Sequence, residues 1–460
     1  MKITSVPIQE LGNNAYLLAV PEAGEVVAID PPRDIDLLME AIEATGLRLS
    51  WTLETHVHND FVSGCRELVA VSGAKLGASA EADLHYPWER LQDGQELVIG
   101  PYRLRVLATP GHTPEHVSYL LIDESGNPMT LFSGGSLMVG TAARPDLLGP
   151  ADSWRLASEL RRSLQDKLLK LPDQVQVLPT HAGGSFCATG TGGEPSTTIG
   201  KERSGNPLAL VADDTEFAAI ALAQKPYPLY FDRMRSLNQL GAPLIGRHLP
   251  KPNRLNVDEF ETWLARGAAI LDLRPGHAVL RGHLPNSYAV GVDGSHSSWV
   301  GWLISPERPL LLVSDDQTQE SESVLQLARI GYDRIVGVLD GGVDAWVAAK
   351  RPLRHFGGSK ARELEQRLRA GERVIVVDVR ESYEWFGGHV PGSVNLPLHE
   401  VTHGADGLPR GPELAVHCGH LYRGVLGASL LEQLGYDHLT VIEDGFDGWA
   451  KLHDRAGVAR

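Results

Sequence analysis

A multidomain α/β chain ending in two copies of one parallel-sheet unit is the architecture the sequence predicts, and three observations predict it. The chain has 460 residues, 42% of them apolar and 22% charged, too many for one hydrophobic core and enough for about three domains. The C-terminal half repeats its own motifs. The N-terminal half has another pattern, strand-like runs whose ends carry histidines.

The repeat defines the C-terminal half. Ile270-Leu271-Asp272-Leu273-Arg274, followed by Gly282-His283-Leu284-Pro285, returns at an offset of 106 residues as Val376-Val377-Asp378-Val379-Arg380 and Gly388-His389-Val390-Pro391. Gly331-Tyr332-Asp333 returns as Gly435-Tyr436-Asp437, and Gly342-Val343-Asp344-Ala345-Trp346 as Gly445-Phe446-Asp447-Gly448-Trp449. Self-similarity at a nearly fixed period means two copies of one unit. In the first copy, apolar runs at 270–273, 310–313 and 335–339 alternate with a helical stretch at 321–330, which predicts a parallel sheet covered by helices. The copies are expected at residues 252–352 and 356–460, after an N-terminal domain of residues 1–245, with linkers at 247–254 and 354–359.

A net charge of −16 without clustered Lys and Arg argues against a nucleic-acid partner, because phosphate contacts need concentrated cations. No stretch approaches the roughly 20 apolar residues of a membrane-spanning helix, and Met1-Lys2-Ile3-Thr4-Ser5-Val6 opens no apolar signal segment, so a cytoplasmic protein without a membrane partner is expected. Three widely spaced cysteines, Cys65, Cys187 and Cys418, make no disulfide framework and fit a reducing compartment.

Cys418 opens the run Cys418-Gly419-His420-Leu421-Tyr422-Arg423-Gly424, between an apolar segment at 414–417 and a helix expected to begin near Arg423. A thiol there meets unpaired backbone N–H groups, the positive end of the helix dipole and Arg423, all of which favour thiolate and would equally hold a persulfide. An offset of 103 puts Asp315 opposite Cys418 and Glu320 opposite Arg423, so the first copy has neither nucleophile nor cation. Strand, Cys-x4-Arg loop and helix, with the Asp378-Val379-Arg380, Gly388-His389-Val390-Pro391-Gly392 and Asp444-Gly445-Phe446-Asp447-Gly448-Trp449 motifs in order, resemble the active site of rhodanese-type sulfurtransferases. The resemblance implies Cys418 as nucleophile and persulfide carrier, Arg423 as the group that stabilises its anion and recognises anionic donors or acceptors, and a catalytically silent first rhodanese copy.

In the N-terminal half, runs at 14–20 and 25–29 read as paired strands and 35–45 as a helix. A strand at 49–54 delivers Thr55-His56-Val57-His58-Asn59-Asp60, whose histidines at i and i+2 leave its end on one side. Thr109-Pro110-Gly111-His112-Thr113 lies downstream, and Thr180-His181-Ala182-Gly183 follows another strand at 175–179. Histidines after several strand ends, with glycines allowing close backbone approach, suit a metal site at the lip of a sheet sandwich. His56, His58 and His112 are the candidate ligands. Asp60 and His181 are further candidates, as ligands, as orienters of a ligating imidazole or as loop caps. Cys187 reads either as a small buried thiol or as a sulfur relay, and Cys65, in a helix expected at 64–71, as core. The Gly/Ser/Thr-rich segment 188–206 reads as a long loop able to cover the site.

Together with Ser133-Gly134-Gly135-Ser136-Leu137 and Ala143-Arg144-Pro145-Asp146-Leu147, these runs resemble the metallo-β-lactamase superfamily, which implies an αββα sandwich. That family's first motif reads His-x-His-x-Asp-His, where this chain ends in Phe61, and its later metal-bridging aspartate is Gly135 here. A two-metal hydrolase needs both ions, so one mononuclear metal is expected instead. Three imidazoles suit Zn, and two histidines with a carboxylate suit Fe(II) and dioxygen.

The domain order resembles fusions of persulfide dioxygenases and sulfurtransferases, in which non-haem iron oxidises a low-molecular-weight persulfide to sulfite and exchange with the rhodanese cysteine can give thiosulfate. In that family, histidines matching His56 and His112 hold the iron together with the aspartate that is Gly135 here; Asp60 or His58 could complete the set. The resemblance implies an enzyme of sulfane-sulfur metabolism, a sulfurtransferase with persulfide dioxygenase chemistry. Its partners would be a low-molecular-weight thiol or persulfide and thiosulfate or sulfite, and a homo-oligomer is compatible with it. Two alternatives stand beside it: a plain sulfurtransferase with a metal-free N-terminal domain, and a mononuclear zinc hydrolase of thioesters.

Overall fold

The computed structural model describes residues 1–188, 194–223 and 226–454. They form two compact units, Met1–Pro250 with Leu325–Tyr332, and Lys251–Val324 with Asp333–Arg460.

In the first unit, strands Lys2–Ile8, Asn13–Val20, Glu25–Ile29, Arg48–Leu53, Lys75–Ser79 and Glu89–Leu91 make one sheet in sequence order. Glu96–Ile99, Tyr102–Ala108, Val117–Ile122, Pro128–Gly134, Gln176–Pro179 and Thr197–Thr198 make a second sheet, also in sequence order. Alternate side chains of both sheets, among them Tyr16, Leu18, Ile29, Leu53, Val106, Tyr119 and Phe132, fill a common core. Outside the first sheet, helix Asp36–Glu43 buries Leu38, Met39 and Ile42 against Leu17, Val26 and Ala28. Outside the second, Leu160 and Leu164, on and just after helix Pro150–Arg162, lie against Leu120, Leu131 and Val177. These are the four layers of an αββα sandwich.

The segment expected as a loop at 188–206 is helical over Ile199–Gly205, because the Thr198 hydroxyl accepts from Lys201 N and caps a free helix end. Residues 189–193 lie outside the described residues. A further helix, Phe231–Leu240, has no counterpart in the sequence reading and matters to the site below.

In the second unit both repeats carry a five-stranded parallel sheet with one strand order. Numbering strands within each copy, the first pairs with the fifth, the fifth with the fourth, the fourth with the second and the second with the third. The repeated Asp-x-Arg and Gly-His motifs have a structural origin. Arg274 Nη2 reaches Asp272 Oδ2 at 2.6 Å and Gly282 O at 2.9 Å. Arg380 Nη2 reaches Asp378 Oδ2 at 2.7 Å and Gly388 O at 2.8 Å. Each buried ion pair ties a strand end to the loop carrying the Gly-His pair.

Sheet register corrects the alignment of the copies. Val313 pairs with Asp272 as His417 pairs with Asp378, so the residue following the strand is Ser314 in the first copy and Cys418 in the second. Asp315 stands one residue further on. The Ser314 hydroxyl donates to Glu320 Oε1 at 2.7 Å, and Glu320 pairs through both oxygens with Arg254. The same shift sets Gln319 opposite Arg423, so the first copy holds a hydroxyl and a neutral amide in place of thiol and cation, with Glu320 engaged beside them.

Among the described residues, no helix is long and apolar enough to cross a membrane.

His296 yields a pH prediction. It is buried, with Nδ1 donating to Val290 O at 2.6 Å and Nε2 against Ser323 Oγ at 2.9 Å, and burial pushes its pKa down from 6.5 to about 4. Between those values the unfolded chain binds a proton that the folded chain refuses, so stability falls as pH falls. The second unit should lose about 3 kcal/mol between pH 6.5 and pH 4 from this group, and His296→Gln should flatten that part of the denaturation profile.

Candidate metal centre and thiol site

Three strand ends converge at one lip of the sandwich. Asp30, just beyond Glu25–Ile29, is buried with φ 50°. Its Oδ1 accepts from Thr55 N and its Oδ2 from Thr55 Oγ1, both at 2.7 Å, and the Thr180 hydroxyl also donates to Oδ2. One carboxylate thus joins the residues preceding His56 and His181. Burial opposes its ionisation, but His58, Thr180 and Thr55 together hold its pKa below the ordinary value.

These contacts set the histidine tautomers. The Thr55 hydroxyl spends its proton on Asp30, so at 2.9 Å it accepts from His56 Nδ1. Arg144 O, an acceptor only, faces His112 Nδ1 at 2.7 Å. Asn13 donates Nδ2 to Asp60 at 2.6 Å and presents Oδ1 to His181 Nδ1 at 3.0 Å. Each Nδ1 therefore carries hydrogen, and each Nε2 keeps a lone pair. His56 Nε2 and His181 Nε2 lie 3.3 Å apart, and buried His112 Nε2 has no hydrogen-bond partner. Two facing lone pairs repel, and an unsatisfied buried nitrogen costs about 1–3 kcal/mol; a cation bound by all three removes both penalties. Ligand atoms of His56, His112 and His181 all lie within 4.8 Å of one another, which makes a histidine-rich potential metal site. Burial and neighbouring imidazoles push His56 well below its ordinary value, and burial with His181 takes His112 to about 3, keeping both neutral as ligation requires.

The expected residues divide accordingly. The structure brings His56 and His112 together with His181. His58 Nε2 faces Glu54 Oε2 at 3.1 Å and Asp30 Oδ1 at 3.3 Å. Burial works against its charge, yet Asp30 and Glu54 push its pKa up to about 10, so it is an imidazolium clasped by carboxylates. His58, Asp60 and His181 form a second possible ligand group that shares His181. Asp60 also holds Asn13 and lies 3.3 Å from His181 Nδ1, which orients that ring. Buried Phe61 packs against His58 with ring centroids 4.2 Å apart and the rings tilted by 31°. At Gly135 a Cβ would stand 2.7 Å from His112 Cδ2 and 2.9 Å from Ala143 Cβ, so no larger side chain enters without displacing the ring.

Cys187 is buried, and burial and the Asp60 charge raise its thiol pKa well above normal. Cys65 is buried with Sγ 2.9 Å from Thr52 Oγ1.

Sequence reasoning missed Asp30, Asn13, His116 and helix Phe231–Leu240. His116 is spent structurally, accepting from Gly135 N at 2.9 Å through Nε2 and facing the Ser136 and Thr109 hydroxyls through Nδ1. From the helix, Asn238 donates to His58 O and Phe61 O, and Arg235 pairs with Glu115, whose Oε1 accepts from Val57 N. The signal for Asp30 was present: an acid after an apolar strand, followed by Pro31-Pro32, one strand before the histidine motif.

The thiol site lies in the second unit. Strand Glu413–His417 ends beside Cys418, and helix Tyr422–Gln433 starts four residues on. Sγ donates to His420 O at 3.3 Å. Gly445, at φ 53°, lies so close over the loop that a Cβ would stand 2.5 Å from Cys418 O. The thiol is 2% exposed. Burial raises its pKa more than Arg423 and the backbone groups of Gly424, His420 and Arg423 lower it, so the resting group is a thiol rather than the expected thiolate. Arg423 itself is held by Glu384, with Nη1 to Oε2 at 2.7 Å and Nη2 to Oε1 at 2.8 Å.

The metallo-beta-lactamase superfamily model matches residues 8–181, and the rhodanese-like domain model matches 256–349 and 360–452. Human mitochondrial persulfide dioxygenase ETHE1 is 31% identical over 227 residues, covering 47% of this chain and 79% of the relative. Hydroxyacylglutathione hydrolase of Acidiphilium cryptum is 36% identical over 147 residues, covering 31% of this chain and 59% of the relative. A crystal structure described as a metallo-beta-lactamase from Staphylococcus aureus covers 74% of this chain and 98% of its own, at TM-score 0.65 and 28% identity.

The donor set gives a quantitative expectation. Elemental analysis of protein purified without added metal should find at most one transition metal per chain, and His112→Gln, which removes an unpartnered Nε2, should lower occupancy at least about tenfold. Two metals per chain would overturn the mononuclear assignment.

Proposed function

The chain belongs to the family in which a persulfide-dioxygenase-type metallo-β-lactamase domain is fused to rhodanese-like domains, and from that premise we propose a sulfane-sulfur enzyme with two chemistries. A persulfide on Cys418 carries sulfur between small donors and acceptors. One metal ion, Fe(II) or Zn, is held by His56, His112 and His181 and serves a low-molecular-weight persulfide. The families imply thiol, persulfide or thiosulfate substrates.

The observation that carries the transferase half is the Cys418 cradle, a strand-end thiol in range of the His420, Arg423 and Gly424 backbone groups at the start of a helix. Those groups stabilise negative charge as it develops on sulfur, which a resting thiol needs when its proton leaves. Neither Cys187 nor Cys65 has such surroundings. Cys65 is core. Cys187, in the field of Asp60, is disfavoured as an anion and hence as a relay nucleophile.

In the N-terminal domain the chain supplies neutral imidazoles with fixed tautomers, an acidic partner for His181 in Asp60 and a water-poor surround. A metal bound there would supply Lewis-acid or redox activation of its substrate. The carboxylate customary for iron is missing at Gly135, and Asp60, beside His181 with an unpartnered Oδ1, is the candidate replacement.

A second reading, a mononuclear zinc thioester hydrolase, draws support from the three-imidazole donor set and from the likeness to hydroxyacylglutathione hydrolase. Oxygen uptake on glutathione persulfide, compared with release of thiol from a glutathione thioester, separates the two.

Transfer of sulfur from a persulfide or thiosulfate to cyanide should disappear in Cys418→Ser, by at least about a thousandfold, because the covalent carrier is gone. Full transfer by that variant, with loss in Cys187→Ser, would overturn the assignment.

A further inference from the structure

Several basic side chains near the Cys418 loop face carboxylates. His420 Nδ1 lies 3.5 Å from Asp447 Oδ2, and Lys360 Nζ lies 3.0 Å from Glu443 Oε2. Arg380 is bound to Asp378. Arg423, the cation whose field reaches the thiol, is gripped by both oxygens of Glu384, and that pair is only 25% and 24% exposed. Glu384 is itself fixed: its Oε2 accepts from Glu381 N at 3.0 Å, the capping contact of helix Ser382–Phe386. The grip is bidentate, anchored through the same Oε2 that Arg423 Nη1 holds, and partly withdrawn from water, where an ion pair is strongest.

We infer that Glu384, acting through Arg423, selects the sulfur donor, turning the Cys418 site away from thiosulfate and toward organic persulfides. The inference rests on the sulfur-transfer reading above. Thiosulfate is a dianion and leaves as sulfite, also a dianion, so its approach and departure call for an uncompensated cation beside the sulfur. Here the guanidinium charge is cancelled. An organic persulfide needs less. The Cys418 sulfur attacks its outer sulfur, the donor S–S bond breaks as the new S–S bond forms, and the departing thiolate takes the Cys418 proton. The products are Cys418–S–SH and R–SH, with no net oxidation. Cys418 brings that proton, its Sγ donating to His420 O in the resting site. Glu384 touches no reacting atom and is a positioning residue.

The test uses the full-length chain and its Glu384→Gln variant, in which an amide keeps the capping acceptor but removes the charge. Cys418-dependent transfer to cyanide is measured with thiosulfate and with hydroxyethyl persulfide, a donor lacking a carboxylate. Wild type should favour the persulfide, and the ratio of kcat/KM for thiosulfate to that for persulfide should rise about tenfold in the variant. A second readout needs no turnover. The rate of Cys418 alkylation by iodoacetate relative to iodoacetamide, followed at that residue by mass spectrometry, should rise by a similar factor, because taking the ratio cancels changes in thiol pKa and loop mobility. Persulfide transfer with both ratios unmoved overturns the donor selection alone. No transfer from either donor in either protein overturns the sulfur-transfer reading and the selection with it.

Discussion

The N-terminal site depends on a buried carboxylate with four simultaneous donors. Asp30 receives Thr55 N, the Thr55 and Thr180 hydroxyls and His58 Nε2, which come from the ends of two different strands. A buried carboxylate without such partners would cost several kcal/mol and would protonate instead. Ionised and satisfied, it acts as a clamp. It fixes the residue before His56 and the residue before His181, and by taking the Thr55 proton it obliges that hydroxyl to accept from His56 Nδ1. The His56 tautomer and the seating of the residues before His56 and His181 thus follow from one interaction, while Arg144 O and Asn13 set the tautomers of His112 and His181.

The clamp also explains how the site departs from its family. With Phe61 in the sixth motif position, the ring fills its place against His58, and His58 turns its Nε2 to Glu54 and Asp30. An imidazolium held between two acids serves as internal counter-charge in an acidic pocket, and the Nε2 that lies beside His56 is that of His181. Gly135 completes the change. The His112 ring lies where an aspartate side chain would begin, so the loss of that carboxylate and the seating of His112 are one packing fact. Two-metal hydrolysis loses a ligand for each ion, while three imidazole ligand atoms remain within 4.8 Å of one another.

In the second unit, identical scaffolding carries different chemistry. Both copies keep the buried Asp–Arg pair and its contact with the Gly-His loop, so both repeats satisfy the same strand-end requirement. They part immediately after the fourth strand, where Ser314 bonds to Glu320 and Cys418 faces open backbone groups. In the first copy Glu320 is held by the Ser314 hydroxyl and Arg254, whereas in the second Arg423 is matched by Glu384 from another helix. The loop chemistry can change while the fold persists because the sheet is held by apolar strands and the Asp–Arg pair.

What was legible in the sequence was what local pattern determines. Apolar runs such as 25–29 and 310–313 coincide with strands because buried strands need such runs, and the repeat announced two like sheets because equal motifs impose equal pairing. Less legible were facts created by register and by distant chain. Counting along the chain set Asp315 opposite Cys418, but a loop one residue shorter moves Ser314 there, and only strand pairing reveals it. The spacing of His56 and His58 suggested equal roles, yet Glu54 four residues earlier and Asp30 from another strand end capture one ring and leave the other free. Asn238 and Arg235 steady the histidine loop from about 180 residues away, a separation no local motif encodes. The same holds for charge at the thiol. A Cys-x4-Arg loop read alone promises a thiolate beside a free cation, but burial and Glu384, neither visible in the loop itself, reverse both. Whether a motif's cation is available is therefore a property of the fold's ion pairs, and reading it requires the partner as well as the motif.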